Sequence, residues 1–458
     1  MIGYVMLAFV LLSISFSFLA PSTFSRSFCA WEAFFYVVAS SFFLRHKCRH
    51  YGGLCFDVFF IPTFFLVNYA HAVFIYPDDK YLPAFQFATH SEVIPYALSL
   101  AQSGVACYML GSVLFEQDFP EMKKLRIAIP EMAINRIAYI SLLSVIGLSL
   151  YIFVFSRITG FTHLYPRLMV LILCLIALSW YYQAQLSSAS EYKFSHFALS
   201  NKINIVSTLL FVVGQLYIGS RGEVIFLTFM ILLVFDNYYH RIRLKRLIPV
   251  MLTGIILMGF LSVSRVSKFS LQQVGLMESL KYSTEIIWNS PNILWMLLTD
   301  FVVNAKTLYE SIDYIKVNSY LMGVSYVQYL FALLPFGGSF FTKLLTGYDI
   351  DDVATGNILT RFVDASYGIG TNMIADLYMN FSFIDVVVMM FLFGVLVARV
   401  ESPTSKYLYF IYMSLFANSI YLVRASIFGW LTFFAFLVIF DWLIRIQLIN
   451  SHADTSAD

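Results

Sequence analysis

The stretch Gln215–Phe229, QLYIGSRGEVIFLTF, joins two apolar runs at Ser220-Arg221-Gly222-Glu223. A cation stands beside an anion between two segments that suit lipid. A helix needs roughly 20 apolar residues to cross the hydrocarbon core, and the runs 203–219 and 224–239 approach that length. Gly219 and Gly222 bracket Ser220-Arg221 and permit a tight turn. The stretch reads as the end of a membrane hairpin.

The rest of the chain agrees. Of its 458 residues, 60% are hydrophobic and 12% charged, with mean hydropathy +0.77. Soluble domains carry about a quarter charged residues, so the chain is not soluble as a whole. A net charge of +2 gives no footing for a nucleic-acid partner. The five cysteines (Cys29, Cys48, Cys55, Cys107, Cys174) have no metal-ligand spacing and form no disulfide framework.

Apolar runs near 2–20, 29–44, 54–76, 94–115, 137–156, 168–184, 203–219, 224–239, 248–264, 380–398, 407–423 and 425–444 are each read as a span. The expectation is an all-α polytopic integral membrane protein of about twelve transmembrane helices. Residues 1–264 would hold nine of them, 265–379 a large periplasmic segment, 380–446 the last three, and 447–458 a polar tail. The first run has no preceding lysine or arginine and no clean cleavage site, so it is read as a retained span.

Lysine and arginine set the orientation. With the N-terminus in the cytoplasm, the inner segments hold 16 of them, in RHKCRH, KKLR and HRIRLKR among others, against six in the short outer connections. Both termini are expected inside. The long connection 265–379 then lies outside. Its runs NILWMLLTDFVV (292–303) and YLMGVSYVQYLFALLPFGGSFF (320–341) are apolar enough to lie on or dip into the membrane. A connection this long is rare unless functional.

Four arginines fall at that outer face: Arg221, Arg265 in VSRVSK, Arg361 in LTRFVDASYGIGTN, and Arg424 in YLVRAS. Each alone reads as an interfacial cation whose stem reaches water. As a set they suit a membrane-embedded diphosphate, because a guanidinium is a planar fork that binds phosphate bidentately at any pH. Glu223, beside Arg221, would hold its guanidinium.

Among carboxylates, Asp349, Asp351 and Asp352 in GYDIDDVATGN lack a calcium-loop pattern and read as a solvated turn. Asp364 follows Arg361 by three residues. Asn372, Asp376 and Asn380 recur every fourth residue and share a helix face. Asp376, just before an apolar span, is a candidate general base; a helix cap or an ion pair with an arginine is the plainer reading. His71, His90 and His163 gain no role, since no spacing pairs them.

The ordered set resembles the O-antigen polymerases, the Wzy-type oligosaccharide repeat-unit polymerases of bacterial inner membranes. It comprises GSRG opening a span, the large outer segment, ALLPFGGSF, GIGTNMIADLYMNFS entering a span, and an arginine between the last two spans. The resemblance covers roughly 200–430. The family often has glutamate before its Y-x-N-F element, where this chain has Asp376.

That resemblance implies a GT-C-type glycosyltransferase joining repeat units carried on undecaprenyl diphosphate. The donor and acceptor would be the lipid-linked oligosaccharides, with membrane lipids and a chain-length regulator protein as further partners. Arg221, Arg265, Arg361 and Arg424 would bind diphosphate, and Asp376 or Asp364 would serve catalysis. No metal and no cofactor is expected. Two rivals stay open: an O-antigen ligase, and a repeat-unit flippase or other transporter. A transporter would show related halves and midplane charges, whereas charges here gather at the outer ends of spans.

Overall fold

The computed structural model describes residues 2–82, 85, 90–117, 131–155, 165–186, 200–218, 220–239, 241–242, 245, 248–249, 251–256, 259–260, 276–331, 338–350, 352–365 and 368–455. The regular elements among the described residues are all helical.

In chain order, α1 (Ile2–Leu19), α2 (Arg26–Tyr51) and α3 (Phe56–Asn68) lead to a π-helical turn at His71–Ile75. Then come α4 (Ile94–Leu114), α5 (Glu131–Phe155), α6 (Tyr165–Leu186), α7 (Lys202–Ile218) and α8 (Gly222–Tyr238). The long connection folds into α9 (Leu276–Trp288), two short turns over 293–302, α10 (Asn304–Val317), α11 (Val324–Phe331), α12 (Gly338–Thr346) and α13 (Thr355–Phe362). The chain continues through α14 (Met373–Val400), α15 (Lys406–Asn418), a 3-10 turn at Leu422–Arg424 and α16 (Leu431–Thr455).

Among the described residues, six helices are long and apolar enough to cross a membrane: Ile2–Leu19, Arg26–Tyr51, Ser91–Leu114, Met132–Tyr151, Leu168–Leu186 and Met373–Val400. The chain therefore has the make-up of a helical membrane protein. Others of the twelve expected spans fall on shorter helices. α3 and α15 have 13 residues each, and α7 and α8 have 17 each. α15 stops at Asn418, and the chain reaches α16 through the irregular stretch that carries Arg424. The expected span 248–264 falls partly outside the described residues.

The core centres on α4 packed along α14. Two backbones approach there because glycine leaves room. A Cβ on Gly394 would stand 2.1 Å from the Tyr108 carbonyl oxygen, and one on Gly111 would stand 2.3 Å from that of Phe391. α1 also packs on α4.

Within the long connection, α10 lies between the two apolar runs expected at the membrane. α10 is buried from Asn304 to Asp313 and packs on α3, α4 and α14. Its polar residues find partners inside: Asn304 donates to the Asp300 carbonyl at 2.8 Å, and Lys306 lies 4.0 Å from Glu310. Burial pushes the Lys306 pKa down while Glu310 opposes that shift. Burial pushes Glu310 up, against the pull of Lys306.

Candidate functional site

α14 is two helices joined at a break. Asn372 caps its start, accepting from the Ile374 N–H at 2.9 Å. The helix runs to Asn380, then Phe381 (φ −137°, ψ 31°) and Ser382 (φ 68°, ψ −159°) leave helical geometry before it resumes. A break strands backbone groups that cannot be left bare in an apolar medium, where each costs several kcal/mol.

The segment 320–326 supplies the partners. Leu321 N–H donates to the Met379 carbonyl at 2.8 Å, and Met322 N–H to the Asn380 carbonyl at 3.2 Å. Gly323 N–H donates to the Asn380 side-chain oxygen at 2.9 Å. The Tyr320 hydroxyl meets the Ser382 hydroxyl at 3.1 Å, and Tyr326 donates to Asp385. Irregular backbone of this kind is found where protein covers it or a cavity adjoins it.

Asp376 sits one turn above the break and is fully buried. Its Oδ1 accepts from the Ser325 hydroxyl at 2.8 Å and from Thr355. The Ser426 hydroxyl stands beside the carboxylate as well, and Oδ2 has no hydrogen bond of its own. The residue thus ties together α11, the start of α13 and the loop after Arg424. The helix-cap reading of Asp376 is corrected, because Asn372 holds the capping position. Asn380 shares the expected face: its amide donates to the Ser325 hydroxyl and the Asp376 carbonyl, both at 2.7 Å. Asn372 turns instead to Asn68 at 2.9 Å.

Asp364 lies elsewhere. It is exposed just past α13, with φ 51° in the left-handed region that ends helices. Thr355 and Asp364 mark opposite ends of α13, so the two carboxylates are separated by about the length of that helix, roughly 12 Å at 1.5 Å per residue.

Of the four candidate arginines, three fall among the described residues, and two of these converge. Arg221 immediately precedes α8, and its guanidinium meets Asp300 at 2.7 Å with only 10% of the side chain exposed. Arg424 lies 5.6 Å from the Phe301 ring centroid and 5.5 Å from that of Tyr421. Its Nε is buried without a hydrogen-bond partner. Tyr421 also packs on Phe226 of α8. Both cations therefore border the Asp300-Phe301 turn and Tyr421. Arg265 falls outside the described residues, as does Asp351.

The expected hold of Glu223 on Arg221 is corrected. Glu223 accepts from the Ser220 hydroxyl in the first turn of α8, where the helix dipole favours an anion. Asp300 is the carboxylate on Arg221. A lone aspartate inside the apolar run 292–303 was the available signal for it.

Arg361 stands apart from that pair. It is 57% exposed and pairs with Asp352, donating also to the Asp352 carbonyl at 2.9 Å. Together they border a cavity of about 760 Å³ with Tyr314, Asn318, Tyr320 and Tyr348. Asp349 pairs with Lys343 at 3.0 Å, both well exposed, as a solvated turn requires.

Two histidines set aside by sequence have partners. His71 meets Asp79 at 2.9 Å and the Tyr309 hydroxyl at 3.2 Å, and His90 meets Asp313 at 2.9 Å. His163 lies outside the described residues.

No family model, curated protein or solved structure matches the chain.

Proposed function

We propose that this protein polymerises oligosaccharide repeat units carried on undecaprenyl diphosphate at the outer face of a bacterial inner membrane. The carrying observation is the convergence of Arg221 and Arg424 on one turn, with the Arg424 Nε buried and unbonded. A lipid diphosphate carries about two negative charges, and fixed guanidinium forks suit it where salt screens poorly.

In this reading the growing chain leaves its lipid diphosphate and passes to a hydroxyl of the next unit. Charge develops on the departing diphosphate oxygen, and Arg221 and Arg424 stabilise it. One such preorganised donor is worth about 3–4 kcal/mol. Asp376 serves the attacking hydroxyl. Because it is fully buried here, the segment 320–326 or the loop 424–428 must move aside before a sugar reaches it.

The cavity beside Arg361 suits the saccharide, since tyrosine rings offer stacking faces and Asn318, Asp352 and Arg361 offer hydrogen bonds. A GT-C-like bundle of about twelve spans, with both termini inside and a chain-length regulator as partner, completes the proposal. Tags in 240–247 should report cytoplasm and tags at 349–352 the outside; one compartment for both removes the topology.

Gene deletion followed by lipopolysaccharide electrophoresis tests the activity. The expected pattern is a single repeat unit on the core in place of a ladder. Loss of every unit would point to a ligase or a flippase, and an unchanged ladder would refute the proposal.

A further inference from the structure

α2 closes in RHKCRH, a segment that sequence reading uses only as basic charge. His46 and His50 stand one helical turn apart on the same face, with ring centroids 4.5 Å apart. Glu116 arrives from just beyond α4, its Oε2 2.6 Å from His46 Nε2. One ligand atom from each of the three lies within 4.8 Å of the others.

A second polar cluster lies directly behind. The buried Lys47 ammonium is 2.7 Å from Glu401, 3.8 Å from Asp57 and 3.9 Å from Glu116 Oε1. Cys55, Asp57 and Glu401 also lie within ligand spacing of one another, but Lys47 already supplies a cation there. The Glu116 Oε1 that faces this lysine is buried without a hydrogen bond. Glu116 is therefore oriented from behind, with Oε2 turned to the histidines.

We propose that His46, His50 and Glu116 bind a borderline divalent transition metal of the Zn²⁺ class, which ties the end of α2 to the end of α4. Two imidazoles and one carboxylate suit Zn²⁺, Co²⁺, Ni²⁺ or Cu²⁺ far better than Mg²⁺ or Ca²⁺. Three protein ligands leave a fourth position for water. Metal–ligand bonds of about 2.0–2.1 Å at tetrahedral angles place ligand atoms roughly 3.3 Å apart. His46 and Glu116 need to open by less than about 1 Å as the ion replaces the proton between them, and that proton is released. The half-buried setting leaves a path for the ion to enter. The site uses none of the residues assigned to glycosyl transfer and stands independently of that assignment.

The test uses tag-free, metal-stripped full-length protein in detergent, titrated with Co²⁺ by calorimetry and visible absorption. One ion per chain is expected, with d–d bands of a nitrogen- and oxygen-ligated site. His50→Ala and Glu116→Gln should each raise the Kd at least about 100-fold, since losing even an outer partner of a ligand costs about 10–100-fold. His90→Ala removes a histidine paired with Asp313 and should change nothing. Glu116→Gln keeps the side-chain shape, so the comparison survives if His50→Ala misfolds. Absence of Co²⁺ binding by the parent would overturn the proposal. So would parental affinity in Glu116→Gln, or an equal loss in His90→Ala.

Discussion

The Gly323 amide donates to the Asn380 side-chain oxygen at 2.9 Å and fastens the 321–323 turn onto the break in α14. Gly323 has φ 86°, and a Cβ there would lie 3.3 Å from the Phe381 ring. A side chain adds left-handed strain of about 1–2 kcal/mol and presses on the ring that marks the break. Gly323→Ala should therefore lower the thermal midpoint of the purified protein and loosen the turn that covers Asp376. Gly347 also has positive φ, but nothing lies within 4 Å of its added Cβ. Gly347→Ala should cost less. Equal midpoints for the two variants would show that the turn does not seal the break.

The α4–α14 contact should fail for a different reason. At Gly111 and Gly394 the obstacle is backbone carbonyl oxygen, which cannot swing away like a side chain. Overpacking typically costs about 1–3 kcal/mol, and a rigid clash at the centre of the bundle belongs at or above the top of that range. Gly111→Val and Gly394→Val should give little folded protein by size-exclusion profile. Gly147→Ala, with nothing within 4 Å of the new Cβ, should be tolerated. Folded protein at the parental level from both valine variants would mean that the two helices do not approach this closely.

The two candidate carboxylates should separate sharply. Asp376→Asn keeps the size of the group but removes the carboxyl group that Ser325 and Thr355 address, so polymer should be lost while membrane insertion persists. Asp364→Asn changes an exposed helix-end residue, and asparagine tolerates positive φ as well as aspartate, so activity should stay near the parental level. A full ladder from Asp376→Asn would leave this carboxylate a structural tie between α11 and α13.

The apolar runs made the class of fold legible, because length and hydropathy report directly on lipid-compatible helices. Sequence also separated the polar face of Asp376 and Asn380, since a period of four is local. Other features depend on distant meetings that no spacing encodes. Asp300 takes Arg221, Asp79 takes His71, and Glu116 reaches His46 from just beyond α4. The break at Phe381–Ser382 was hidden because both residues sit inside a mainly apolar run with no proline or glycine near them. Its cause lies in hydrogen bonds from Leu321, Met322 and Gly323, well upstream. The burial of α10 was hidden likewise, since Lys306, Glu310 and Asp313 suggest a wet surface until their partners are seen.

Replacing Arg221 and Arg424, singly, with lysine tests the diphosphate site. Charge survives while the planar fork is lost. Each variant, inserted at parental level and assayed for polymer in membranes, should fall at least about tenfold, which corresponds to about 1.4 kcal/mol of transition-state stabilisation. Arg361→Lys, at an exposed pair away from Tyr421, should fall less. Interfacial arginines whose stems merely reach water would accept lysine without loss. Full-length polymer from both Arg221→Lys and Arg424→Lys would contradict a diphosphate site at the Asp300-Phe301 turn.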